Sequence, residues 1–226
     1  MQKYSDKEGY KLKASQNIYL ALRSVCDFLI AFTAIVFLIP LFIVVAIAIK
    51  VDSKGPVFFC QDRIGRNGKI FKCIKFRSMA VEANHNVAGY EYAEVKAYIT
   101  KVGAFIRKTS IDELPQLYNI LAFQMSLIGY RPSQANEKEL NDARDRYLVH
   151  QVKPGITGWA QVNGRDVLAA QPAKKAMFDN YYVQNVSLWL DIKIFFMTIA
   201  AVFKSDGIEE GTIEVKESEE NKETEK

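Results

Sequence analysis

An uncharged stretch of 22 residues, Phe28 to Ile49, constrains this chain more than any other feature. As a straight helix it would reach roughly 33 Å, enough to cross a bilayer. It is longer than a signal-peptide core, and no small-residue cleavage site follows it. A single spanning anchor is the plain reading, and two features oppose it. Pro40 stands just past the middle, where it removes a backbone donor and crowds the preceding turn. Both flanks are basic, with Lys11, Lys13 and Arg23 before the run and Lys50, Lys54, Arg63 and Arg66 after it. Positive charge favours the cytoplasmic side. Symmetric flanks therefore predict that both ends stay there while the run dips into the membrane, bends at Pro40 and returns. On these physical features alone, spanning and re-entry both stand. Arg23 and Asp27 are spaced i, i+4, so they can pair where a carboxylate meets the membrane boundary.

The charge is unevenly placed. The whole chain of 226 residues carries +4, but residues 209–226 hold eight Glu and three Lys, which leaves residues 1–208 at +9. A body this basic suits a phosphate-rich partner. The acidic tail lacks apolar content and is expected to be disordered. No nucleic-acid-binding motif accompanies the charge. The three cysteines, Cys26, Cys60 and Cys73, have neither metal-site spacing nor a disulfide framework, which fits a reducing compartment.

In "RKTSIDELPQLYNIL", residues 107–121, Asp112 and Glu113 are adjacent carboxylates. Ser110 and Glu113 have the S-x-x-E spacing of a capping box, so these acids read first as a helix start. Around them, "VFFCQDRIGRNGKIFKCIKF" predicts a β-hairpin about Asn67-Gly68. A short basic amphipathic segment follows at residues 100–108. "SLIGYRPSQ" is a turn carrying Arg131, and residues 136–152 read as a charged helix. "KPGITGWAQVNGRD" reads as a glycine-rich loop with Asn163 and Arg165, and "SLWLDIKIFFMTIAAVFK" as an apolar helix interrupted by Asp191 and Lys193.

Taken together and in this order, "DSKGPVFFCQDRIGRNGKIFKCIKFRSM", "RKTSIDELPQLYNIL", "SLIGYRPSQ", "KPGITGWAQVNGRD" and "YYVQNVSLWLDIKI" resemble the bacterial sugar transferases, the monotopic polyprenol-phosphate phosphoglycosyl transferases, over roughly residues 19–204. The resemblance implies an α+β, helix-rich fold: a Pro-broken re-entrant membrane helix with a small interfacial catalytic domain built from a β-hairpin and amphipathic helices. The expected organisation is a basic segment at 1–24, the re-entrant helix at 25–49, a catalytic domain at 50–208 and the acidic tail at 209–226. It also implies transfer of a sugar-1-phosphate from a UDP-sugar to undecaprenyl phosphate, with release of UMP, at the cytoplasmic face of a bacterial membrane and in contact with phospholipid. Such a step initiates exopolysaccharide, capsule, O-antigen or glycoprotein-glycan assembly. Mg2+ is the implied cofactor, and self-association is compatible with the family.

By the resemblance, Asp112 is the nucleophile and Glu113 helps hold the metal, while Arg107 and Arg131 contact phosphate. Asn163, Arg165 and Asp191 are further candidates for substrate binding. The chemistry suits the residues. A carboxylate can attack a phosphorus, and phosphoryl transfer needs positioning and charge neutralisation more than elaborate covalent chemistry. Two departures stand out: Ile39 precedes Pro40 where many members have Ser, and Tyr130 replaces a Pro before Arg131. The multi-span N-terminal region of some relatives is not expected, which would make this a minimal catalytic form. The alternative is a non-catalytic, membrane-tethered scaffold. It has no need of an acid pair beside two arginines.

Overall fold

The computed structural model describes residues 8–81, 98–164 and 171–203. The expected acidic tail, most of the segment between the hairpin and residue 98, and Arg165 lie outside the described residues.

The apolar run forms the larger part of one helix, α1 (Ala14–Asp52). It starts fourteen residues before the run, where the Gln16 side chain accepts from the Lys13 backbone N–H at 2.9 Å. The interruption expected at Pro40 is absent, since Pro40 lies inside a continuous helix. A proline deletes one backbone bond and bends a helix without having to end it, and packing holds the turns on either side. Asp27, Ala31, Ile35, Phe42, Val45 and Ile49 are buried. With half-buried Leu38 they follow two steps of four residues to Ile35 and then alternating steps of three and four, the spacing of a single helical seam. Ahead of Pro40, Ala31 and Ile35 pack with Phe71, Cys73, Leu117, Ile120 and Met125. After it, Phe42, Val45 and Ile49 pack with Phe76 and Ile106. The outward face, including Phe32, Phe37, Ile43, Val44 and Ile47, is exposed. By length and composition α1 could cross a membrane, yet both its ends are tied to the same body. Arg23 reaches Asp191 at 2.7 Å. At the other end Asp52 accepts from the Val102 N–H at 2.9 Å, and Arg77 donates to the carbonyls of Ser53 and Lys54.

The expected hairpin is present. Strands β1 (Phe58–Ile64) and β2 (Ile70–Phe76) pair antiparallel, with Cys60 opposite Ile74 and Ile64 opposite Ile70. Asn67 and Gly68 both take positive φ, 56° and 72°, as the tight connection requires. Helix α2 (Lys101–Lys108) starts on Thr100, whose hydroxyl accepts from the Gly103 N–H. Helix α3 (Gln116–Leu121) follows a 3-10 turn at Ile111–Glu113.

The glycine-rich segment expected to be a loop is partly ordered as β4 (Gly155–Thr157), parallel to β3 (Ser126–Ile128). The pairing needs glycine on both sides. A Cβ on Gly155 would lie 2.1 Å from the Gly129 nitrogen, and one on Gly158 would lie 1.8 Å from the Gly129 oxygen. Helix α4 (Lys138–Arg146) fills part of the expected charged helix, and α5 (Trp159–Val162) follows β4. Helices α6 (Pro172–Asn185) and α7 (Leu188–Phe203) then close the body around Tyr130, Val149, Trp159, Tyr182, Leu190 and Ile194. Helix α7 leaves Leu188, Trp189, Phe195 and Phe196 exposed, a second apolar surface in addition to that of α1.

Candidate active site

The acid pair does not begin an α-helix. Asp112 and Glu113 sit in the 3-10 turn between α2 and α3, and Pro115 caps α3. The expected capping box is not formed. Ser110 adopts a left-handed conformation at φ 56° and its side chain makes no capping bond. In that conformation its side chain does not serve the turn that follows, and the Glu113 carboxylate has stronger partners elsewhere. Lys75 Nζ and Arg131 Nη2 both donate to Glu113 Oε1, at 2.8 and 2.9 Å. Both partners carry a full positive charge, whereas a cap would offer this carboxylate only a backbone N–H.

Asp112 and Glu113 are both buried. Burial alone would raise the Glu113 pKa. The Arg131 and Lys75 cations outweigh it and hold the carboxyl well below the usual carboxylate range. The Glu113 side chain is 11% exposed, while those of Lys75 and Arg131 are 20% and 29% exposed. The cations therefore form the mouth of the site and the carboxylate its floor.

Each part is positioned by a long-range contact. Arg131 lies in a turn whose flanks are fixed by a closed network. Arg144, fully buried, bonds Asp179 at 2.6 and 2.9 Å and donates to the Ser133 hydroxyl at 3.0 Å. Its guanidinium also lies 4.8 Å from the centre of the Tyr130 ring. Tyr130, the departure from the family pattern, is thus a core residue rather than a turn residue. The turn is stitched to the hairpin by Ile64 N–H to the Ser133 carbonyl and by Arg63 to the Pro132 carbonyl. Arg107, on α2, donates through Nε to the Ser78 hydroxyl at 2.9 Å, just after β2.

Asn163 and Asp191 have partners of their own, and Arg165 lies outside the described residues. Asn163 donates to the Trp159 carbonyl at 2.8 Å and so closes α5. Asp191 belongs to a buried cluster that accepts from Arg23, Tyr19 and Tyr182. In that cluster Asp27 keeps the expected Arg23 pairing, at 3.8 Å, and accepts from Ser126. Lys75 was not among the sequence candidates. Its signal was period two: Phe71, Cys73 and Lys75 share one strand face, and the first two are buried. A lysine on the inward face of a strand needs a buried partner.

Among the described residues no cluster of three or more Asp, Glu, His or Cys could cage a metal ion. Mg2+ held by one carboxylate, with substrate oxygens and water completing its shell, needs no such cluster, and Glu113 is the carboxylate that would hold it.

Residues 18–205 match the family model described as Bacterial sugar transferase. The chain is 45% identical over 170 residues to an undecaprenyl-phosphate glucose phosphotransferase of Komagataeibacter xylinus, covering 72% of this chain and 32% of that protein. It is 40% identical to a UDP-N-acetylgalactosamine-undecaprenyl-phosphate N-acetylgalactosaminephosphotransferase of Aeromonas hydrophila, covering 84% and 45%. It is 38% identical to the exopolysaccharide production protein ExoY of Sinorhizobium fredii, covering 80% and 85%. The chain thus spans less than half of the first two relatives and most of the third.

Proposed function

The chain belongs to the bacterial sugar transferase family, and from that premise we propose that it moves a sugar-1-phosphate from a UDP-sugar to undecaprenyl phosphate and releases UMP. The observation that carries this reading is the buried Asp112–Glu113 pair beneath the Lys75 and Arg131 cations. A diphosphate entering the site meets the cations first. Arg131 and Lys75 draw its oxygens in, and Glu113 keeps both side chains aimed and charged.

In the first step a carboxylate oxygen of Asp112 attacks the phosphorus that bears the sugar. An oxygen–phosphorus bond forms, and the bond from that phosphorus to the bridging oxygen breaks. UMP leaves with the bridging oxygen, and an aspartyl-phosphosugar remains. In the second step a phosphate oxygen of the lipid attacks the same phosphorus and restores the Asp112 carboxylate. Glu113 would help hold Mg2+, and the ion would neutralise charge on the transferring group while Asp112 stays free to attack. Arg107 would add charge from α2, which packs on the same turn, with its Nε held by Ser78.

We place the protein on the cytoplasmic face with α1 held in one leaflet. Support comes from the two ends of α1, which bind the same polar body through Arg23 and Asp52. A spanning helix would carry them to opposite sides. A UMP-release screen across UDP-glucose, UDP-galactose and their N-acetylated forms identifies the sugar.

The test combines turnover with trapping. UMP release should require UDP-sugar, polyprenol phosphate and Mg2+. UDP-sugar with label in the sugar, added without lipid, should leave label on the wild-type protein and none on Asp112→Asn. An Asp112→Asn protein with wild-type turnover would sink the assignment.

A further inference from the structure

A cleft of about 350 Å³ opens beside the N-terminal half of α1, lined in part by Arg23, Ser24, Val25, Arg66, Phe123 and Lys153. Glu113 precedes α3 and Phe123 follows it, so the cleft and the acid pair lie at opposite ends of that helix. Three cations line the cleft and no carboxylate does. Arg23 is neutralised from behind by Asp191 and Asp27. The other two are not. Lys153 Nζ donates to the Ser24 hydroxyl at 2.6 Å and lies 5.0 Å from the Phe123 ring centre. Arg66 donates to the Gln151 carbonyl at 2.9 Å. Neither meets a carboxylate among the described residues. Burial first, and then the Arg66 charge, push the Lys153 ammonium pKa down, and the Asp27 carboxylate opposes them without reversing the shift. Two cations lining one cleft, neither of them ion-paired and no carboxylate in its lining, leave it positive and suited to an anion.

The surroundings fix what kind of anion. Arg23 stands five residues before the uncharged run, and Val25 and Phe123 at the cleft are both exposed. Apolar surface beside basic polar groups is the boundary between acyl chains and headgroups. We propose that this cleft holds the phosphate of an anionic phospholipid, with its acyl chains lying along the outward face of α1. The inference rests on α1 lying at the membrane, not on the transfer reaction, so the two readings fail separately.

The experiment uses the full chain in detergent micelles doped with phosphatidylglycerol or phosphatidylcholine, with retained lipid counted by native mass spectrometry. Wild type should retain phosphatidylglycerol in preference. A basic residue near an anionic surface contributes about fivefold in binding, so K153Q with R66Q should lower retention roughly 20-fold or more. K138Q with K174Q, two exposed lysines elsewhere, should not. UMP release with saturating substrates in detergent should be unchanged in K153Q with R66Q. Should that pair fail to fold, K153R and R66Q singly serve: K153R should retain lipid, and R66Q should lose about fivefold. Equal loss in the control pair, or no preference between the two lipids, would overturn the proposal. So would displacement by glycerol 1-phosphate at matching concentration, which makes it a soluble-phosphate site, or selective retention of polyprenol phosphate, which makes it an acceptor site.

Discussion

Arg144 and Arg131 are thirteen residues apart, and each faces a carboxylate, but their surroundings differ. The Arg144–Asp179 pair has side chains 0% and 2% exposed, and its donors are taken up by Asp179 and Ser133. The Arg131–Glu113 pair is open: the arginine side chain is 29% exposed, and Glu113 Oε1 is shared between two cations. A closed pair has nothing to offer a ligand and serves to hold its turn. An open pair holds charge in place and still presents it. The first fixes the backbone from which the second works, since Ser133 and Tyr130 flank Arg131 and both contact Arg144.

Mutations at the two pairs should separate cleanly. The largest effect is expected at Asp112, beside the open pair. Asp112→Asn should lower UMP release by about 10⁴-fold or more, as loss of a nucleophile does, while the melting temperature stays near wild type. Next comes Arg144→Ala, which strands Asp179 in the interior and should cost about 3–5 kcal/mol in chemical denaturation. Arg131→Ala should do the reverse. Stability should change by under about 1 kcal/mol, as for a partly exposed pair, and kcat/KM should fall about 10²–10³-fold. If Arg131→Ala costs as much stability as Arg144→Ala, the distinction between open and closed pairs is wrong.

Acid titration gives a smaller effect. Glu113 has its carboxyl held below its ordinary value of 4.5 by Arg131 and Lys75. Its contribution to stability is therefore complete above about pH 4.5 and lost as pH falls below that. Glu113→Gln should be less stable than wild type at pH 7, and the gap should narrow below pH 4.5 in urea titrations. A constant gap across that range would show that the ionic contacts add nothing. The smallest effect is expected at Ser110. With no capping bond to lose, Ser110→Ala should change stability by only a few tenths of a kcal/mol, against about 1 kcal/mol for a true cap.

Local patterns in the sequence were readable wherever the forces are local. Asn67-Gly68 marked the hairpin, and the uncharged run marked α1. Asp112 and Glu113 were recognised through the motifs around them. The misreadings came from contacts distant in sequence. The S-x-x-E spacing allowed a cap, but Lys75 and Arg131 compete for that glutamate from 38 and 18 residues away. The glycines of residues 155–158 read as a loop because their purpose, close approach to Gly129, is on another strand. Asp191 is a charge within an apolar helix, and the sequence alone does not show what answers it. Its partners in the fold are Arg23, Tyr19 and Tyr182.

The alternating seam of α1 has a consequence for how the chain tolerates change. Both ends of the helix are anchored, and the face between them must keep its phase. Deleting one residue would turn everything beyond it by about 100° and swing Phe42, Val45 and Ile49 off the body. Adding seven would restore the phase but lengthen the helix by about 10 Å, which two fixed anchors have no slack to absorb. The length of the apolar run is therefore a ruler cut to the protein's own body rather than to the thickness of a bilayer.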